Sequence, residues 1–359
     1  MPSCLGLYIE PNIIKYAKIS KEKDILRVES FGIKFYEKLG DTIKQIINET
    51  YSQKTPISIN LSDEEYRYLY MFSLLNKNDL KKAIQTEFES ICAEHGINAN
   101  AVETRYALVN CLEDKEKVKV IHISKNKNSI NTLMQNFTGF KVSNISPIAT
   151  SIANIANLKP KENVIVINMQ DKTTITTIAD QKVYDVEVLE EGAKEVLDKI
   201  SAKENSYSKA YDICKNSTIY TMEGKELQEE ENEYLEDIMP TLYKIASQVQ
   251  QKIANSTVKI DKVYITGTLS VVNNIDLYFE ELFNVHASDD LVQELEVFVP
   301  TEESAKINIK DYIEVNSAIA LALQGLGYGL RDINFKPRDW KDELNILLNL
   351  KSKEEKGKL

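Results

Sequence analysis

The sequence predicts an α/β fold of two similar lobes, the first of them interrupted by an inserted subdomain. Three observations predict it. A pattern of three strand-like runs followed by a helix occurs twice; a helix–strand–strand–helix unit breaks its first occurrence; and the chain is 359 residues long. That length suits two lobes with separate cores better than one small domain. Hydrophobic residues make up 43% and charged residues 28%, the balance of an ordinary globular protein with enough apolar surface to fill both cores.

Residues 4–9 read as a first strand, Glu10–Pro11–Asn12 as a tight turn, and residues 13–19 as the antiparallel partner. Residues 25–35 alternate as a third strand. Residues 39–50 place Leu39, Ile43, Ile46 and Ile47 on one helical face. Residues 57–61 and 66–72 are further strands. Asn78 or Asp79 then caps a helix whose stripe is Leu80, Ala83, Ile84, Phe88 and Ile91. Strands at 103–111 and 117–123, a helix at 127–137 and a strand at 141–145 follow, so the insert spans about 74–140. A connecting helix is expected at 147–158.

The opening pattern then returns as strands at 164–167, 173–179 and 182–189, with a turn at 168–172 and a helix from Glu191. Helices are expected at 209–215, 228–254, 277–283 and 312–326, with a strand at 263–265. The boundaries are a first lobe over 1–157, a second over 158–330 and a tail over 331–359.

Charge and composition exclude several functions. The net charge of −11, with no basic–aromatic patch, disfavours nucleic acid and anionic lipid. The N-terminus has no basic region followed by an apolar run, and no apolar stretch approaches the ~20 residues of a membrane-spanning helix. Cys4, Cys92, Cys111 and Cys214 form no CxxC pair, so no zinc or thioredoxin-type motif is indicated. His95, His122 and His286 are too few and too scattered to supply a metal site. The cytoplasm is the expected compartment.

Two meander-plus-helix halves joined by an Ala-rich helix resemble the duplicated actin-like ATPase fold with its ribonuclease H-like lobes, and the insert resembles that of FtsA and its relatives. Within that branch the residues resemble PilM, the cytoplasmic actin-like family of type IV pilus machines. LGLYIEPNIIKYAKI (Leu5–Ile19) is similar to the family's LGxDIGxxxVKxxxL opening, and NDLKKAIQTEFESIC to the helix that begins its insert. KVYITGTLSVVNNIDLYFEELFNV (Lys262–Val285) resembles its nucleotide loop and helix, and VNSAIALALQGL (Val315–Leu326) its closing helix. The resemblance implies a scaffold at the inner face of the cell membrane that binds the tail of PilN, with the assembly ATPase and the PilO–PilP complex nearby. That tail carries an Ile-Asn-Leu-Leu-Pro type motif.

Against the family pattern the phosphate turns look degraded. Actin-like sites use two acids for the metal ion and water, and two glycine-bearing hairpin turns whose N–H groups reach phosphate. Here Tyr8 stands at the first acid position and Glu10 at its glycine, while Asn168 and Gln170 stand at the second pair. Side chains at the glycine positions are expected to crowd turns that need φ > 0. Glu10 also sets a negative charge where phosphate would sit, a repulsive arrangement unless a cation intervenes. Asp212 and Lys215 keep an acid-x-x-Lys spacing, and Gly192 and Gly267 survive from two glycine pairs. These four are candidates for nucleotide contact, with an ordinary surface i,i+3 pair as the competing reading of the first two. Asp171 and Asp180 are read as solvated turn acids. No cofactor is expected, with weak ATP binding left open. The alternative function is a nucleotide-binding actin-like ATPase, either an FtsA-like membrane-tethered polymer or an ATP-responsive pilus protein; a sugar or acetate kinase fits worse.

In the tail, Ile333, Asn334, Phe335 and Pro337 resemble the PilN motif itself, which implies a PilM–PilN fusion carrying its ligand in cis. In an extended segment Ile333 and Phe335 share a side and Pro337 stops backbone pairing. A plain linker is the competing reading. Residues 340–350 read as a short amphipathic stretch and 351–358 as a charged end.

Overall fold

The computed structural model describes residues 2–23, 25–112, 114–153, 161–220, 233–288, 296–297, 309–330 and 333–337. The first lobe opens with β1 (Ser3–Glu10), β2 (Ile13–Glu22) and β3 (Ile25–Phe35), followed by α1 (Leu39–Glu49) and β4 (Ile57–Leu61). The insert contains β5 (Glu65–Phe72), α2 (Lys77–Glu94), β6 (Val102–Asn110), β7 (Lys117–Asn126) and α3 (Lys127–Gln135). The chain returns through β8 (Val142–Pro147) and α4 (Ile148–Ile152).

The second lobe has β9 (Asn163–Met169), β10 (Thr173–Ala179), β11 (Lys182–Leu189), α5 (Ala193–Glu204), α6 (Tyr207–Asn216) and α7 (Leu235–Ala254). It continues with β12 (Lys262–Gly267), a 3₁₀ turn at Thr268–Val271, α8 (Ile275–Phe283) and β13 (Ala287–Ser288). A two-residue strand, β14 (Glu296–Val297), and the long α9 (Ile309–Gly325) close the fold.

The two lobes repeat one topology. The first sheet runs β14-β3-β2-β1-β4-β8 and the second β11-β10-β9-β12-β13, each an antiparallel meander with parallel strands added beside its first member. The duplication places the β1–β2 and β9–β10 hairpins in equivalent positions. Between the sheets lies a shared core in which α9 contributes Val315 and residues 318–323, packed with Tyr8 and Ala17 from one lobe and Val164, Val166 and Tyr264 from the other. Its alanines let the helix approach β1 closely. A Cβ added to Gly6 would lie 1.9 Å from the Ala318 carbonyl oxygen.

Several expectations differ from what the chain does. The β5 run joins the insert, pairing with β7 in a three-stranded β5-β7-β6 sheet rather than extending the lobe. The cap of α2 is Asn76, whose side chain accepts from the amides of Asn78 and Asp79 at 3.0 Å each. The expected connecting helix opens with the short α4, which starts directly after β8 ends at Pro147. Residues 154–158 of that expected helix, 228–232 of the expected long helix, and 340–358 of the tail lie outside the described residues. All four cysteines are buried, and none is in a disulfide.

Two outcomes follow. Gly6→Ala forces a backbone clash with α9 and is expected to cost about 3 kcal/mol or more. Gly40→Ala, on α1 where a Cβ would meet Asn136 Oδ1 at an ordinary 3.8 Å, should be neutral or stabilising by up to ~1 kcal/mol; denaturation midpoints check both. In the insert, His122 is 2% exposed beside the Phe88 ring, and burial pushes its imidazole down to about 4. The unfolded chain takes up this proton near pH 6.5 and the folded one only near 4, so stability is lost as pH falls through that window, by roughly 3 kcal/mol in full. His122→Phe should flatten the melting temperature against pH between about 4 and 6.5.

Candidate functional site

The equivalent hairpins meet between the lobes. Glu10 ends β1, and its Oε1 accepts from the Asp171 amide in the turn after β9 at 2.8 Å. Lys15 lies in β2 with the same parity as Ile13 and Ala17, so its side chain is carried inward and is fully buried. Its Nζ is 3.5 Å from Glu10 Oε2 and donates to Gln170 Oε1 and Thr268 Oγ1. Thr268 Oγ1 is 2.9 Å from Gln170 Oε1 and 3.1 Å from Glu10 Oε2. Gln170 Nε2 donates onward to Asn168 Oδ1 at 3.1 Å and to Ser317 Oγ of α9 at 2.7 Å. Glu10, Lys15, Asn168, Gln170, Thr268 and Ser317 are each at most 4% exposed. Burial pushes the Lys15 ammonium down, while Glu10 and Glu314 push back.

The turns are filled rather than strained. Among the described residues with φ > 0, the first hairpin contributes Asn12, and neither Glu10 nor Gln170 is left-handed. The expected crowding at φ > 0 is therefore corrected: both side chains sit on ordinary backbone and occupy the space between the lobes. Tyr8 is 5% exposed in the shared apolar core, its hydroxyl pushed well up by burial and then by Asp171 and Glu10. Asn168 Nδ2 is buried with no hydrogen-bond partner among the described residues.

The two surviving glycines answer to backbone packing. A Cβ on Gly192 would meet the Asp171 carbonyl oxygen at 2.4 Å, where the Ala193 amide donates to Gln170 O. Gly267 has φ +103°, and a Cβ there would lie 2.5 Å from Met169 O. Lys215 turns to Glu314 of α9 at 2.7 Å, while Asp212 is exposed on α6. At the mouth of the same region burial pushes Asp171 up to about 6 and Glu64 up to about 7, and Lys172 bridges Asp63 and Glu190. Asp171 is thus half-buried, not a freely solvated turn acid; Asp180 is exposed. Among the described residues no group of three or more His, Cys, Asp and Glu is placed to hold a metal ion.

A second arrangement involves the tail. Residues 333–337 run along the free edge of β8, where the first sheet ends. The Phe335 amide donates to Ile145 O at 2.8 Å, and Ser146 Oγ donates to Ile333 O at 3.0 Å. Asn334 spans the edge: Oδ1 accepts from the Ile145 amide at 3.1 Å, and Nδ2 donates to Ser143 O at 3.1 Å. From β6 of the insert, Arg105 Nε donates to Asn334 O at 2.7 Å and its guanidinium lies 5.2 Å from the Phe335 ring centroid. Ile333 and Phe335 are each 1% exposed within the first-lobe core; Pro337 is exposed.

Sequence reasoning missed Lys15, Thr268 and Ser317 in the first arrangement, and Arg105, Ser143 and Ser146 in the second. One signal was present: a lysine at the inward parity of an otherwise apolar strand.

No family model and no curated protein matches the chain. Solved structures do. A PilM–PilN type IV pilus biogenesis complex superposes with a TM-score of 0.72 at 15% identity, over 90% of this chain and 98% of that one. The ethanolamine utilization protein EutJ from Carboxydothermus hydrogenoformans gives 0.49 at 11% identity, over 92% and 90%. MreB5 of Spiroplasma citri bound to ADP gives 0.43 at 10%, over 91% and 95%. The likeness is one of fold, and this chain has the actin-like ATPase fold.

Proposed function

We propose that the chain is a scaffold of the type IV pilus inner-membrane assembly platform. In this reading it lies at the cytoplasmic face of the membrane, holds a PilN-type tail, and has a nucleotide site too degenerate for hydrolysis. The observation that carries the reading is the buried Lys15 ammonium, which meets Glu10, Gln170 and Thr268 where the two phosphate turns converge. A nucleotide and its metal ion do not fit these residues. Tyr8 and Asn168 offer no carboxylate to a metal ion, the side chains of Glu10 and Gln170 fill the place of phosphate, and Lys15 is already engaged. Asp63, and Asp171 above about pH 6, add negative charge at the mouth, where a polyphosphate meets repulsion.

The competing nucleotide-dependent reading loses its supports one at a time. Lys215 faces Glu314, and Gly192 and Gly267 serve backbone packing. The pilus half of the reading is supported by the fold likeness to the PilM–PilN complex and by the Ile-Asn-Phe segment seated on β8. No helix among the described residues is long and apolar enough to cross a membrane, which fits peripheral attachment through a partner. The platform's assembly ATPase is a neighbour in this account, and a net charge of −11 leaves nucleic acid out of it.

Deleting the chain from its native host is expected to abolish surface pili as seen by electron microscopy, and complementation with wild type or Asp212→Ala to restore them. Normal piliation in the deletion strain contradicts the pilus role, and loss with a stably accumulated Asp212→Ala favours nucleotide dependence. In vitro, Lys15→Met leaves Glu10 buried without its counter-charge and should cost about 3–5 kcal/mol. The Lys15→Met/Glu10→Gln pair should recover most of that, measured by chemical denaturation.

A further inference from the structure

We propose that residues 333–337 are the resident occupant of the β8 edge, and that this occupancy closes the groove to any peptide supplied in trans. The inference rests on the scaffold reading for the class of peptide concerned, an extended apolar–Asn–aromatic segment. The contacts themselves are independent of that reading.

Each residue of the segment is read by a different device. Ile333 and Phe335 fill apolar space in the first-lobe core, and both are 1% exposed. Asn334 is matched at both ends of its amide. Oδ1 accepts from the Ile145 and Lys336 amides, and Nδ2 donates to Ser143 O. An aspartate there would turn a carboxylate oxygen toward a carbonyl oxygen, and a leucine would leave the Ile145 amide unpaired at a covered edge. Arg105 closes the segment from the insert, held in turn by Glu103 at 2.6 Å, so the groove is completed by two parts of the first lobe. Together these form an added-strand contact in which one side-chain amide replaces part of the backbone ladder.

The tether decides the competition. The helix α9 ends at Gly325, eight residues before Ile333. Leu330 O accepts from the Gln324 side chain at 3.0 Å and from the Ile333 amide at 3.1 Å. A short tether sets an effective concentration in the millimolar range. For a segment whose untethered affinity is about 10 μM, the groove stands open on the order of 1% of the time, and a competing peptide binds about a hundredfold more weakly. A body built this way holds its tail at one-to-one stoichiometry and does not recruit a second one.

The test is a fluorescence anisotropy titration with a labelled peptide of the sequence RDINFKPR. The full-length wild type is compared with full-length Asn334→Ala/Phe335→Ala, which vacates the groove. The vacated variant should bind the peptide with micromolar affinity, at least ~30-fold more tightly than wild type. Adding Arg105→Ala should weaken that binding tenfold or more, as should replacing Asn by Asp in the peptide. Equal affinity for wild type and the vacated variant overturns the proposal, and so does no binding to a vacated variant that melts cooperatively. Should that variant fail to fold, hydrogen exchange on the wild type decides: slow exchange at the Ile145 and Phe335 amides supports occupancy, and exchange at solvent rates overturns it. Failure here leaves the pilus phenotype untouched, and a deletion strain with normal pili leaves this binding result standing, so the two readings fail separately.

Discussion

A lysine ammonium buried between two lobes must find its counter-charge and acceptors inside the protein, and the closed arrangement of this molecule follows from that need. Lys15 draws on Glu10 from its own hairpin, Gln170 from the opposite one, and Thr268 from the turn after β12; Gln170 carries the network on to Ser317 of α9. At 3.5 Å the ion pair attracts by about 5 kcal/mol if the effective dielectric constant is near 20. Taking two charges out of water costs several kcal/mol per ion, so the pair itself adds little net stability. Separating its members costs far more. The network therefore acts as a latch, weak as a source of stability and strong as a constraint on how the lobes sit.

The rest of the fold places that latch. Two sheets of one topology bring equivalent hairpins together, and α9, with Ala318, Ala320 and Ala322 in its buried run, lies close enough to β1 that Gly6 has no room for a Cβ. Gly192 and Gly267 let the second hairpin press against the start of α5 and the end of β12. Protein atoms fill the space between the two hairpins, where Lys15, Glu10, Gln170 and Thr268 meet. At one end of the first sheet, the segment after α9 covers the outer edge of β8.

Much of this was legible in the chain, for physical reasons that differ by element. Periods of two and 3.6 residues located the meanders and α1, because one face of each is buried and the other is not. Period alone could not tell which sheet β5 joins, since its alternation suits either, and it could not choose Asn76 over Asn78 as a cap. At the site, the replaced acids and glycines were an expectation that the family resemblance implied, and Glu10 was read as repelling phosphate unless a cation intervened. That cation stood five residues later, yet its other partner, Gln170, lies 155 residues away, and only the folded topology joins them. The φ > 0 argument failed because the turns re-formed on ordinary backbone. Arg105 was illegible for the same topological reason: its partner Asn334 lies 229 residues on.

The proposal that Glu10 and Gln170, held by Lys15, leave no place for phosphate and metal is tested most directly by isothermal titration of ATP with magnesium into the intact wild-type chain. The account predicts no saturable heat at millimolar nucleotide. Stoichiometric binding with a micromolar dissociation constant would contradict it, because Lys15 would then have to give up Glu10 and Gln170 to admit the ligand.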